Sequence, residues 1–263
     1  MSDAETKSFF RPGKLVLLFL LGALVYVVAL VILVPAGWVW QQASAHVTLP
    51  PQVQVQQVSG KLWDGAAGVV VAGYPLRVDW ALGWPSLGVM TLPVAIELDT
   101  AQSSLQGDVT LGWPLSAALD ASGHIGVAEF RDLIRRSRGA MIEGEVSIER
   151  LQLAWADNRI ARAEGLARWP GGRVTWPMGE QTGSADFPPM QANLDTVEGG
   201  VELKIAEQGG DGPAAQANLL WNGMTEIRVY KRMVDLAGQP WSDSASPDDV
   251  VFRVRQPLIP GGL

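Results

Sequence analysis

Cysteine is absent from this chain of 263 residues. That absence removes disulfides, thiolate metal sites and cysteine nucleophiles together, and it is harmless in an oxidising compartment without identifying one. Histidine is nearly absent as well: His46 and His124 stand alone, with no spacing that would let two imidazoles share an ion. No metal site is expected, and each histidine reads as an exposed or satisfied side chain. The chain contains no GxSxG elbow, Walker loop, GxGxxG or HExxH. Its densest carboxylates are Asp248-Asp249, in a loop-like stretch, and Glu143 and Glu145, on alternate positions of an expected strand. Neither pair needs an acid–base role, so no catalytic residue and no cofactor is expected, and the chain does not read as an enzyme. Charge is sparse at 18% of residues, with a net of −7. An acidic chain of this kind is not expected to bind nucleic acid.

What the chain does have is one long apolar run. Mean hydropathy is +0.13, and the segment LVLLFLLGALVYVVALVILV, from Leu15 to Val34, accounts for it. At about 1.5 Å per residue it reaches roughly 30 Å, the thickness of a bilayer's hydrocarbon layer. Lys7, Arg11 and Lys14 precede it, whereas the next charged residue after it is Lys61. The positive-inside rule places the basic end in the cytoplasm, and Trp38 and Trp40 mark the opposite border. The expected organisation is a cytoplasmic tail over 1–14, a transmembrane helix over 15–37 and an exported β-rich domain over 38–263. The competing reading is a cleaved signal peptide, because Ala43-Ser44-Ala45 has the small-x-small pattern of a cleavage site. The apolar run is too long and the site too far downstream for that, and a mature N-terminus at His46 would overturn the anchor.

After residue 50 the apolar period is two. Leu76, Val78, Trp80 and Leu82 alternate with Arg77 and Asp79, and Leu105, Gly107, Val109 and Leu111 repeat the pattern. Ile142, Gly144, Val146 and Ile148 alternate with Glu143, Glu145, Ser147 and Glu149. One buried and one wet face implies an antiparallel sheet. The parity shifts past Glu149-Arg150 to Leu151, Leu153 and Trp155, which predicts a bulge that keeps one face inward. Further strands are expected near 201–206, 215–221, 225–230 and 250–255, and one short helix over Ala128 to Arg138 with Gly139 as its C-cap. Segments 179–189, 207–213 and 238–249 concentrate Gly, Pro, Ser and Asp and are expected to be turns or surface loops.

A weak repeat accompanies these strands. Leu82-Gly83-Trp84-Pro85 recurs as Leu111-Gly112-Trp113-Pro114, and Trp-Pro recurs at 169–170 and 176–177. The spacing suits a strand pair, and each proline should end a strand or mark an edge because it cannot donate to the ladder. Tryptophan is abundant at 11 residues. Core filling is the expectation, with an exposed apolar groove as the functional alternative. Arg131, Arg135, Arg136 and Arg138 form the one basic cluster, with Arg131 and Arg135 on one helix face. They read as a solvated face or as a contact for an acidic partner or anionic headgroups.

The segment Gly60-Lys61-Leu62-Trp63-Asp64-Gly65 follows the first exported strand, and Leu76-Arg77-Val78-Asp79-Trp80 comes next. Gly60 and Gly65 read as a tight-turn pair and Trp63 as a plug for the sheet end. With an N-in anchor before them, these elements resemble type II secretion system protein N, the general secretion pathway N family. The likeness continues through Ile142 to Val146, Gly165 to Trp169, Ile227 to Tyr230 and Gln239-Pro240-Trp241, while 179–190 and 207–213 match no part of the pattern. The resemblance implies a non-enzymatic inner-membrane component of the machine that exports folded proteins across the outer membrane of a Gram-negative bacterium, its body in the periplasm. It implies partners in the inner-membrane platform or the secretin, and membrane lipid around the N-terminal helix. The family is also similar to AsmA-like proteins, which implies a curved antiparallel sheet and, as an alternative function, lipid binding or transfer.

Overall fold

A computed structural model describes residues 18–257 apart from 27, 28, 30–32, 48, 51, 87, 137, 138, 157, 158, 179, 180 and 243. Residues 18–26 are helical, and the chain leaves helical geometry at 33–35 before a separate helix, α1 (Ala36–Ala43), begins after Pro35. Among the described residues no helix is long and apolar enough to cross a membrane. The remaining parts of the expected span, 15–17, 27–28 and 30–32, lie outside the described residues.

Alternating apolar and polar positions build one open antiparallel sheet of 13 strands. The first part comprises β1 (Val53–Gly60), β2 (Asp64–Val71), β3 (Tyr74–Leu82), β4 (Thr91–Asp99), β5 (Ser104–Gly112) and β6 (Ser116–Gly126), each paired with the next. After β7 (Met141–Ile142) the sheet resumes with β8 (Glu145–Ala156) and β9 (Arg159–Trp169). The strands β10 (Gly172–Met178) and β11 (Gln181–Phe187) leave it to form a three-stranded sheet with β7. The main sheet then continues through β12 (Met190–Val197), β13 (Gly200–Glu207), β14 (Ala215–Leu220), β15 (Met224–Tyr230) and β16 (Val250–Pro257). The expected strands near 201–206, 215–221, 225–230 and 250–255 are therefore present. The sheet has two ends. At the near end lie the β1–β2, β3–β4 and β5–β6 turns, and at the far end the β2–β3 and β4–β5 turns with the excursion after β6.

The expected bulge is where the parity shift put it. The β8–β9 register slips between Ile148 and Arg150, so Leu151 stays on the face of Ile148. Each Trp-Pro also stops or edges a strand: β3 and β5 end just before theirs, β9 ends at Trp169, and Pro177 pairs only with Thr182 of β11.

Four expectations need correction. The strand anticipated through Ile142 to Ile148 breaks at Glu143-Gly144, because Gly144 has φ +93° and Met141-Ile142 pair with β10 of the smaller sheet. The loop expected over 179–189 contains β11, which pairs with β10 from Phe187 to Gln181; an edge strand needs no apolar alternation. The 128–138 helix is a 3₁₀ turn, Val127–Phe130, followed by α2 (Arg131–Arg136), and the Gly139 N–H donates to the Ile134 carbonyl at 3.0 Å. Tryptophan does not fill the core: Trp169 is buried, whereas Trp38, Trp84, Trp113, Trp155, Trp221 and Trp241 are exposed. The physical reason is that a single open sheet has few places where a large ring is covered from both sides.

What core there is sits at the far end. Trp169, Val174, Met190 and Ala214 cluster there, with Trp176 and Phe187 of the small sheet and Met233 and Leu236 of α3 (Lys231–Leu236) against them. The Trp169 indole N–H donates to the Glu143 carbonyl at 2.7 Å, which ties the chain break to this cluster. Along β3 to β6 the leucines and valines facing the apolar side are mostly half-buried, and among the described residues no large side chain is fully enclosed.

Candidate functional site

At the near end Gly60 has φ +81°, and a Cβ there would meet the Asp64 carbonyl at 2.7 Å. A Cβ on Gly65 would meet the Trp80 ring at 2.6 Å and the Lys61 and Ser59 carbonyls at 2.8 Å. Only glycine fits this second position without moving backbone. The Lys61 N–H donates to the Asp64 carbonyl at 2.7 Å and closes the turn. Trp63 is half-buried, and its carbonyl accepts from the Leu82 N–H at 2.7 Å. Trp80 completes the clamp by donating its indole N–H to the Leu62 carbonyl at 3.0 Å. Sequence reading placed Trp80 only in a strand; the nearby glycine at 65 is the signal that a large ring needs room.

This turn also receives the N-terminal segment. The Leu62 N–H donates to the Val34 carbonyl at 2.9 Å, and Pro35 bridges Lys61. The helical residues 18–26 leading toward it are exposed throughout, including Leu18, Phe19, Leu20, Leu21, Leu24, Val25 and Tyr26. Nothing in the described chain covers them. From Pro35, α1 runs back beside β1, with Gly37 against the Val58 carbonyl, so it screens the sheet's first edge.

The arginine cluster lies at the opposite end. Arg131 and Arg135 are exposed on α2, and Arg135 makes only a 3.8 Å pair with Asp132. The backbone of Arg136 closes the helix, and Arg138 lies outside the described residues. The helix is docked by its approach: Tyr74 and Phe130 rings meet at 5.4 Å, and the Tyr74 hydroxyl accepts from the Leu133 N–H at 3.1 Å. Glu129 is the residue that sequence reading missed. Its carboxylate accepts from the Thr100 hydroxyl, the Ala101 and Gln102 N–H groups and the Ser103 hydroxyl. Burial pushes its pKa up, but those four donors outweigh it and hold the carboxyl below its ordinary value. The β4–β5 turn and the start of the arginine helix are thereby joined through one charge.

A shallow trough of about 620 Å³ crosses β2 to β8, with Asp79, Glu97, Asp108, Asp120, Glu149 and Arg150 on its walls. The Arg77 hydrogen bond holds the Asp79 carboxyl below its ordinary value. Among the described residues no group of three or more His, Asp or Glu could hold a metal ion. The carboxylates here spread along a solvated sheet face, where they keep that face wet and do not converge on a reacting atom.

A family model described as type II secretion system (T2SS), protein N, matches residues 51–242. Comparison with curated proteins and with solved structures returned no match.

Proposed function

The chain belongs to the type II secretion system protein N family and is thus a type II secretion component with other such components as partners, and from that premise we propose that it is an inner-membrane-anchored periplasmic scaffold supporting assembly or stability of the apparatus. The N-terminus is cytoplasmic, the apolar segment spans the membrane once, and the sheet projects into the periplasm. The observation that carries this reading is the junction at Val34–Leu62 and Pro35–Lys61, which fixes an uncovered apolar helix to one end of the sheet. A helix of exposed apolar side chains without charge is costly in water, and a bilayer is the surrounding that covers all its faces at once. The anchor enters at the near end, so the arginine helix is held away from that membrane, and the platform or the secretin's periplasmic part is its better-placed partner. Glycine turns and backbone edges do structural work here and need no catalytic residue.

The test is deletion of the gene combined with crosslinking in membranes. Loss of substrate export, or loss of other apparatus components from the crosslinked complex, is expected. Unchanged export together with unchanged co-purification would remove the scaffold reading. A second reading, AsmA-like lipid binding or transfer, is favoured by the half-buried apolar side of β3 to β6. Lipid found by mass spectrometry in the gently purified protein supports it, and a lipid-free preparation counts against it.

A further inference from the structure

The two Leu-Gly-Trp-Pro repeats open neighbouring turns of the near end. Trp84 is 92% exposed, Trp113 76% and Leu115 84%, with Val89 and Met90 exposed beside them. Such large apolar groups at the tips of turns have no core to fill, and they lie together. Hydrogen bonds pin the bases of both turns, with the Trp113 N–H donating to the Met90 carbonyl at 3.2 Å, Gly83 N–H to the Pro93 carbonyl at 2.8 Å, and Ser86 N–H to the Thr91 carbonyl at 2.8 Å. Between them is a cleft of about 410 Å³ walled by Pro85, Met90, Leu92, Leu111 and Trp113.

Two further observations say what covers this patch. No charged residue occurs between Asp79 and Glu97 or between Asp108 and Asp120, so both strand–turn–strand stretches are uncharged over their whole near-end halves. The same end receives the exposed apolar helix through Val34 and Pro35. Gly60, Gly65, Trp80, Ile96 and Gly107 share one row of the sheet. Thr91 and Gly112 pair beyond that row, so at about 3.3 Å per residue the tips extend some 15 Å past it. They reach beyond the junction, on the side from which the antiparallel Pro35–Lys61 bridge brings the chain into the sheet.

We propose that the 83–90 and 113–115 turns form a second membrane contact, a tryptophan-tipped rim that sits in the headgroup layer of the bilayer in which the N-terminal segment is anchored. Indole favours that layer because its body is apolar and its N–H needs a polar partner. Turns pinned at their bases have less conformational freedom to lose on contact than free loops. The rim would add a second point of contact and so set the tilt of the sheet against the bilayer. The proposal rests on the anchor reading above and goes beyond it.

The chain's lack of cysteine makes the test direct. Single variants Trp84→Cys, Trp113→Cys and Leu115→Cys are labelled with an environment-sensitive fluorophore and reconstituted as full chains in phosphatidylethanolamine–phosphatidylglycerol vesicles. Gln208→Cys at the far end and Phe19→Cys in the apolar helix are the controls. Blue-shifted emission, loss of intensity to a headgroup-level nitroxide lipid and protection from aqueous iodide are expected at 84, 113 and 115, with the reverse at 208. Iodide quenching at 84 and 113 equal to that at 208 would overturn the rim. Shielding from both quenchers would overturn it in favour of a protein cover. Nitroxide quenching at 19 but not at the rim removes the rim alone, whereas none at 19 removes the anchor as well. A variant that loses its β-sheet circular dichroism is replaced by Val89→Cys on the same turn, read by the same outcomes.

Discussion

Glu129 shows how one residue can hold two parts of a sheet together. A carboxylate that accepts four hydrogen bonds is favoured in its charged form, so its folded pKa lies below the unfolded one. Its stabilisation is therefore fully present above about pH 4.5 and is lost as pH falls through the folded value. Glu129→Gln should cost about 1–2 kcal/mol at pH 7, since a neutral amide pairs less well with the same donors. In urea melts across pH, the gap between the two proteins should stay constant above about pH 5 and narrow as pH falls below the ordinary glutamate value and through the lowered folded one. A gap that persisted into acid would show that packing, not charge, is at work. Glycine positions make a second residue-level contrast. Gly65→Ala places a Cβ against backbone carbonyls and should destabilise by about 1–3 kcal/mol. Gly68→Ala, three residues along the same strand, meets nothing within 4 Å and should be near neutral by thermal unfolding. The Gly60–Gly65 turn was readable from residue types, but the Trp80 bond to Leu62 was not, because sequence spacing does not say which ring lies over which turn.

Among the elements, β8 is the one whose geometry is written most clearly in the chain. The parity change at Glu149-Arg150 is a bulge, and it lets Ile148 and Leu151 share a face. Deleting Arg150 removes the extra residue, so Glu149 would take its place opposite Leu166 and Ile148 and Leu151 would still share one face. The expected outcome is a soluble variant that keeps its β-sheet circular dichroism, whereas aggregation or rapid proteolysis during expression would disprove the one-residue bulge. By contrast β11 was hidden, because Gln181, Thr182, Ser184 and Asp186 have the composition of a loop and become a strand only through pairing with β10. The end of β7 was hidden similarly: Met141-Ile142 continue the alternation of β8 but pair elsewhere. The arginine helix is short and exposed, so its charges do little for folding. Changing Arg131, Arg135, Arg136 and Arg138 together to Ser should leave the melting temperature nearly unchanged while weakening crosslinks to secretion components. Crosslinks of unaltered yield would make the cluster a solvated face only.

On the scale of the whole molecule the two ends of the sheet differ, with the exposed apolar helix and turn tips at one and the core and arginine helix at the other. Full-length protein should remain in the membrane pellet after alkaline carbonate, and protease added to spheroplasts should digest 38–263 while sparing 1–14. Release from the pellet, or a mature N-terminus at His46, would sink the anchor. The sequence by itself determined the β-rich class, the family and the near-end turn, because alternation and glycine turn chemistry are local properties that neighbours in the chain express directly. Only the tertiary structure decided which end of the sheet meets the helix, that tryptophans stand exposed at the turn tips, and that β10 and β11 leave the main sheet. Those depend on pairings between residues far apart in the chain, where backbone hydrogen bonds carry the energy and side-chain pattern carries almost no information.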